Sequence, residues 1–344
     1  MTRDAILDSF VSLGQHLSSQ EPHFPDPVIK EAVKANPWFT PNTINHAANA
    51  IIYMLQEDHL QTWLNKYHYS TLPSTIGIVM AGNIPLVGFH DFLCVGISGH
   101  KAMIKPSRQD DVLIRWIAKW LIKKNEGLSE RIEFVERLKG MDAIIATGSN
   151  NTSRYFEYYF RDIPHVIRKN RSSLAVLHGN EPRESLHLLG KDIFMYYGLG
   201  CRNISLILMP EAFPISSLLN ALEEYSNVSD HSKYKNNYDY NKSIFLVNSI
   251  PHFDSGFLLM TESDQTTSPL AVLHYLKYKD QSEISDFIQR HRQNIQCIST
   301  ENAWLENSIS FGNCQQPGPD DYADGVDTMK FLEEINQSPL NLSC

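Results

Sequence analysis

The apolar positions of the chain fall into two regimes. Over residues 1–70 they recur at helical spacing, interrupted at "EPHFPDP" (21–27) and "NPWFTPN" (36–42), which predicts a run of helices separated by loops. From residue 75 the pattern turns to short apolar runs that end in glycine or proline. "TIGIVMAGN" (75–83) reads as a buried strand entering a glycine loop, and "IPLVGFHDFLCVGIS" (84–98) as an apolar helix. "KAMIKPS" (101–107) reads as a second strand and "QDDVLIRWIAKWLIKK" (109–124) as a second helix. "RIEFVE" (131–136) and "AIIATG" (143–148) are further strands. "SNNTSRYFEYYF" (149–160) opens a helix on cap-type residues, its aromatics spaced for a buried face. Strands alternating with helices predict an α/β chain with a parallel, doubly wound sheet.

A similar alternation follows. "SSLAVLHG" (172–179) is strand-like, "EPRESLHLLGKDIFMYY" (181–197) helix-like, and "ISLILMP" (204–210) strand-like again. Residues 226–243 are polar and rich in tyrosine, which predicts an exposed loop. "SIFLVNS" (243–249), "GFLLMTE" (256–262) and "PLAVLHYLKY" (269–278) read as later strands.

Composition narrows the function classes. The chain has 344 residues, 42% of them hydrophobic, enough for two domains with sizeable cores. The net charge of −9 and the lack of a long basic run exclude a nucleic-acid partner, which needs a positive footprint. "RWIAKWLIKK" (115–124), the densest basic stretch, is the solvated side of an amphipathic helix. No apolar run is long enough to predict a membrane span. The five cysteines, Cys94, Cys201, Cys297, Cys314 and Cys344, are scattered and lack a CxxC pair. That argues against a disulfide framework or a zinc site and fits a reducing compartment. The first residues are amphipathic and acidic rather than signal-like, so a cytoplasmic protein is expected.

The candidate chemistry lies where predicted strands end. "MAGNIP" (80–85) is a strand-to-helix turn with a side-chain amide at Asn83. "IKPSR" (104–108) ends a strand on Lys105, followed by Ser107 and Arg108. "ATGSN" (146–150) is a turn at Thr147, Gly148 and Ser149 whose free amides suit a pyrophosphate. "YYGLGCRNIS" (196–205) sets Cys201 just before a strand, after Gly198 and Gly200. No GxGxxG follows a strand, so the dinucleotide fingerprint is absent. His90, His165, His178 and His187 lie near these motifs and read as structural or surface residues. Cys94, inside an apolar helix, reads as packing.

Taken in order, these stretches resemble the aldehyde dehydrogenase superfamily. Within it they resemble the acyl-CoA reductases related to the fatty-acid reductase of bacterial bioluminescence (LuxC-like). "AGNIP" is similar to that family's asparagine turn, "MIKPS" to its ribose-binding lysine strand, "ATGSN" to its cofactor turn, "GLGC" to its nucleophile loop, and "ISFGN" (309–313) to its downstream Phe-Gly turn. The resemblance implies a doubly wound cofactor domain (1–190, with the N-terminal helices), an α/β catalytic domain (191–325) carrying Cys201, a C-terminal tail (326–344), and a cleft between the two domains. It implies that Cys201 is the nucleophile, that Asn83 and the Cys201 amide form the oxyanion hole, and that Lys105 holds the adenosine ribose. Thr147, Gly148 and Ser149 would line the pyrophosphate, and a homo-oligomer is expected.

One departure from the family is informative. Hydrolytic members carry a water-activating glutamate upstream of the cysteine, and here that neighbourhood is "HVIRKNRSS" (165–173), with no acid. Glu262 is near a second family glutamate but out of register with it. Without the base, transfer is favoured over hydrolysis: an acyl thioester enters and an aldehyde leaves. Acyl-CoA, another acyl thioester or an acyl-transferring partner enzyme are the implied donors. The alternatives are an aldehyde-oxidising NAD(P) dehydrogenase and a non-catalytic nucleotide-binding relative. Arg108 stands where NAD-preferring members often place an acid, which predicts NADPH, with NADH as the alternative cofactor; Ser107 flanks the same site.

Overall fold

The computed structural model describes residues 1–148 and 150–335. Two compact units make up the chain: Met1–Lys169 together with the chain from Gln316 on, and Asn170–Gln315.

The first unit opens with four helices, α1 (Arg3–Ser18), α2 (Asp26–Ala35), α3 (Pro41–Met54) and α4 (Glu57–Leu64). Local chemistry starts two of them. The Thr2 hydroxyl accepts from the Ala5 amide at the start of α1, and Thr40 and Thr43 form a reciprocal capping box at α3. The sheet then builds by alternation: β1 (Thr75–Val79), α5 (Phe89–Ser98), β2 (Lys101–Lys105), α6 (Val112–Lys124), β3 (Ile132–Phe134), β4 (Ala143–Thr147), α7 (Asn150–Tyr159) and β5 (His165–Arg168). All five strands are parallel, in the order β3-β2-β1-β4-β5. The order reverses direction at β1, so right-handed crossovers send α5 and α6 to one face and α7 to the other. Helices α1 and α2 pack against α5 and α6, and α3 packs against α1 and α2. Ile76, Ile78, Phe92, Leu93, Ile104 and Ile145 form the fully buried centre.

The second unit holds β6 (Ser172–Val176), α8 (Arg183–Phe194), β7 (Ile204–Pro210), α9 (Ile215–Leu222), α10 (Ser232–Val247), β8 (Phe253–Asp254), β9 (Leu259–Glu262), β10 (Val272–Tyr278), α11 (Gln281–His291), β11 (Ile295–Thr300) and β12 (Ile309–Ser310). Its sheet runs β12-β11-β6-β7-β10-β9-β8 and is mixed, because β8 joins β9 antiparallel at one edge. The chain then returns to the first unit, where α12 (Thr328–Ile335) packs on α5. No helix among the described residues is long and apolar enough to cross a membrane.

Four expectations from the apolar pattern are corrected. Residues 84–88 are a turn, not helix: Leu86 takes φ +58°, and α5 starts only at Phe89. The stretch expected to be an exposed loop (226–243) and the strand expected at 243–249 are instead helical, most of both lying in α10. Tyr234, Tyr238 and Phe245 share one face of that helix and bury it, while Leu246 and Val247 are left in solvent. In α7 the aromatics do not form a buried stripe, since Tyr155, Tyr158 and Tyr159 are exposed.

A buried ion pair ties the first unit together. The Arg168 guanidinium at the end of β5 lies 2.7 Å from Asp91 in α5, both side chains 6% exposed. The same nitrogen donates to the Thr328 hydroxyl of α12 at 2.8 Å. Removing one partner of such a pair leaves the other charge buried and alone. Arg168→Met should therefore cost about 3–5 kcal/mol of unfolding free energy in denaturant titration. A loss under about 1 kcal/mol would mean that Asp91 is served by other groups.

Candidate active site

Parallel pairing brings the first unit's candidate residues to one sheet edge. Thr75 to Val79 of β1 pair in register with Lys101 to Lys105 of β2, and Ile76 to Val79 with Ala143 to Ala146 of β4. Val79, Lys105 and Thr147 therefore end together at the carboxyl ends of their strands. In open α/β sheets, ligands bind outside those ends, at the point where strand order reverses.

A cavity of about 860 Å³ opens there, lined by Val79, Lys105, Arg137, Met141, Phe156 and Tyr159 among others. Lys105 is the exposed last residue of β2. Thr147 and Gly148 follow β4 and are half-buried. A Cβ at Gly148 would lie 3.1 Å from both Phe156 and Thr152 of α7, so glycine lets the turn lie close against that helix. Arg108 is exposed, Ser107 is half-buried, and neither is among the residues lining the cavity. Ser149 lies outside the described residues. Arg137 had no signal in the sequence, because it sits in the loop after the three-residue β3 with no motif around it. The lining carries two cations, Lys105 and Arg137, and two carboxylates, Glu136 and Asp162, beside apolar side chains.

Asn83 is exposed in the turn after β1. The glycine before it is forced by sterics: a Cβ at Gly82 would sit 2.6 Å from the Ser107 side chain. The turns after β1 and β2 thus touch backbone to side chain.

In the second unit, Cys201 precedes β7 and is half-buried. Its loop is bent by left-handed residues: Tyr197 at φ +58°, Gly198 at +86° and Gly200 at +94°. A side chain at 198 or 200 would be strained by the backbone itself, a stronger reason for glycine than crowding. The loop is closed by Leu199 N–H to the Tyr196 carbonyl (2.9 Å) and Asn203 N–H to the Gly200 carbonyl (3.3 Å).

Ser173 of β6 fixes the Cys201 peptide. The ladders on both sides of β6 shift register near it. Its hydroxyl fills the gap, donating to the Cys201 carbonyl at 2.9 Å and accepting from the Cys297 N–H at 3.2 Å. The Cys297 thiol lies 3.0 Å from the same oxygen. Arg202 donates to the Cys314 carbonyl at 3.4 Å. Neither Cys297 nor Cys314 carried a motif, yet the Cys314 thiol meets that of Cys297. This contact and burial raise the Cys314 pKa, which keeps it a neutral thiol.

Asp192 of α8, wholly buried, anchors the turn after β12. One carboxylate oxygen accepts from Gly312 N–H at 2.7 Å and the other from Cys314 N–H at 3.0 Å. The "ISFGN" turn is thereby clamped to the helix that leads into the Cys201 loop. Sequence reading passed over Asp192 because its partners lie more than a hundred positions away.

The remaining candidates have structural partners. His90 bonds the Pro319 carbonyl at 2.8 Å, His178 pairs with Glu301 at 2.6 Å, and His187 stacks on Tyr225. His165 is exposed and bonds the Ile163 carbonyl. Cys94 is fully buried in α5, and Glu262 is exposed at the end of β9. The segment 165–173 holds β5 and the start of β6 with no carboxylate. No group of three His, Cys, Asp or Glu among the described residues is arranged to hold a metal.

No protein-family model and no curated protein matches the sequence. Solved structures do. A putative aldehyde dehydrogenase from Burkholderia cenocepacia superposes with a TM-score of 0.64 at 15% identity, over 87% of this chain and 73% of that one. An NAD+ complex of an aldehyde dehydrogenase from Bacillus cereus gives 0.62 at 13%, over 89% and 72%. An acetylating aldehyde dehydrogenase from Geobacillus thermoglucosidasius gives 0.64 at 10%, over 96% and 90%. At such identities the likeness establishes the fold: α/β and aldehyde-dehydrogenase-like.

Burial raises the Asp192 pKa to about 6, against the opposing pull of its bonds from Gly312 and Cys314. A folded pKa above the unfolded value means that this stability is fully present below about pH 4 and is lost as pH rises through about 6. Asn at 192 has no such dependence. The stability of wild type relative to Asp192→Asn should therefore be roughly 1 kcal/mol greater at pH 5 than at pH 7.5 in paired thermal or urea melts. A difference that grows with pH would contradict the assignment.

Proposed function

We propose that this protein is a nicotinamide-dependent oxidoreductase of acyl thioesters and aldehydes, acting as an acyl-CoA reductase through an acyl-enzyme on Cys201. The observation that carries the reading is the Cys201 loop itself. A half-buried cysteine sits on a turn of left-handed residues at the start of β7, its carbonyl pinned by Ser173, in a chain with an aldehyde-dehydrogenase-like fold.

Chemistry follows from the residue types. The thiolate is the attacking form, and a free thiol with pKa ~8.5 is only partly ionised at neutral pH. Cys201 adds to the thioester carbonyl, and the tetrahedral oxyanion is stabilised by the Asn83 amide and the Cys201 N–H. Collapse expels CoA as its thiolate and leaves an acyl thioester on Cys201. A reduced nicotinamide, when bound, would supply the hydride; the aldehyde is released as the C–S bond breaks and Cys201 leaves as its thiolate. Lys105 would hold the adenosine ribose, with Thr147 and Gly148 beside the phosphates. Ser149 belongs to the same proposed turn. The carboxylate-free segment at 165–173 supports transfer over hydrolysis, because nothing there would activate water against the acyl-enzyme.

The test is acylation without reductant. Incubated with an acyl-CoA alone, the protein should gain the mass of one acyl group, removable by hydroxylamine, and adding NADPH should discharge it as aldehyde. Cys201→Ala should abolish both. Asn83→Ala should keep the thiol and slow acylation by roughly 100-fold, the effect of losing one oxyanion donor. An adduct on another cysteine would refute the reading.

The NADPH preference is proposed on two cationic groups at this sheet edge. Arg137 lines the Lys105 cavity and Arg108 follows β2. Either can pair with a 2′-phosphate. Arg137→Glu and Arg108→Glu should each weaken NADPH about 10-fold or more while leaving NADH nearly unchanged, measured as Kd by fluorescence. Equal losses for both cofactors would remove the phosphate-binding role.

A further inference from the structure

The turn that carries Asn83 is held from outside by two buried side chains that no motif marks. Asn36 caps the end of α2 and is 1% exposed. Its side-chain N–H donates to the Gly82 carbonyl at 2.9 Å, and its side-chain oxygen accepts from the Trp38 amide at 3.0 Å. Asp110 ends the turn after β2 and is 6% exposed. It accepts from the Leu86 amide at 2.6 Å, a contact that meets Leu86 in its left-handed conformation. Asn83 lies between the two anchor points.

The backbone of the turn makes few hydrogen bonds of its own. Its own ladder bond is Met80 N–H to the Lys105 carbonyl, before the glycine, and the next is Phe89 N–H to the Leu86 carbonyl, as α5 begins. Between these, Gly82 makes the backbone permissive and Leu86 takes a conformation that costs a non-glycine residue energy. A donor that must meet an oxyanion to within a few tenths of an ångström cannot sit on a loose segment.

We infer that Asn36 and Asp110 are positioning residues that fix the 82–86 turn and so hold the Asn83 amide in one orientation for its role as oxyanion donor. The inference rests on the reading of Asn83 as an oxyanion donor. Asp110 acts through the shape and acceptor capacity of its carboxyl, not through charge. It makes no ion pair among the described residues, and its second oxygen is buried without a hydrogen-bond partner. Burial also pushes its pKa well up, which favours the neutral acid. Asparagine has nearly the same shape and keeps the acceptor for the Leu86 amide.

The test uses the full-length protein and two readouts. Amide exchange of the peptide spanning 81–88 should accelerate about 10-fold or more in Asp110→Ala and in Asn36→Ala, and return to the wild-type rate in Asp110→Asn. Acylation of Cys201 by an acyl-CoA should fall roughly 10- to 100-fold in the two alanine variants and stay within about 3-fold of wild type in Asp110→Asn. Adding Asn83→Ala to either alanine variant should then cost little more, because the donor is already misplaced. Unchanged exchange, or fully additive losses with Asn83→Ala, would overturn the inference. If Asp110→Ala does not fold, Asn36→Ala and Asp110→Asn decide it. A wild type that is never acylated would sink the function reading instead, and the exchange data would still decide whether these residues hold the turn.

Discussion

Parallel pairing of β1 with its two neighbours is the constraint on which the first unit depends. Parallel strands cannot be joined by tight turns, so each needs a helical crossover, and every crossover leaves a loop at the same sheet edge. Register then does the rest. Because Val79 lies beside Lys105 and one step from Thr147, the loops after three strands converge without any long-range signal in the sequence. Glycine at 82 is a consequence, since two loops forced so close leave no room for a Cβ.

The second unit meets a different requirement. Its candidate nucleophile stands at the start of a strand, where the ladder has not yet formed and backbone groups need other partners. Ser173 supplies them by bridging the register shifts on either side of β6. Asp192 supplies them for the turn after β12 with a carboxylate that is costly to bury. The loop is thus held by side chains where regular hydrogen bonding fails, a common state of affairs at sites of chemistry.

What the sequence discloses follows from how local each cause is. Strands β1, β2, β4 and β7 were legible because each is a short apolar run closed by glycine, proline or a polar turn. Four strands, β5, β8, β11 and β12, were not assigned, being short or polar and held in place by neighbours. The α10 helix was misread because its buried face is built of tyrosines, which a hydrophobic-polar reading counts as surface, and because "SIFLVNS" has strand-like composition. The α7 aromatics had helical spacing, but spacing alone does not say which way a face points. At the candidate site, residues in turns with distinctive glycines could be singled out. Asn36, Asp110, Ser173 and Asp192 could not, since each acts on a segment at least 24 positions away.

The order of the units along the chain has a consequence for biosynthesis. The second unit is continuous, whereas the first is completed only when residues 316–335 return to it. During translation β1 to β5 emerge early, but α12, which covers a face of α5, and the Thr328 partner of Arg168 emerge only after the second unit. Nascent chains emerge at about 5–20 residues per second, so the first unit waits roughly ten seconds or more with apolar surface uncovered. A face of the first unit thus depends for its cover on a segment made after the whole second unit, whereas the second unit is built from contiguous sequence alone.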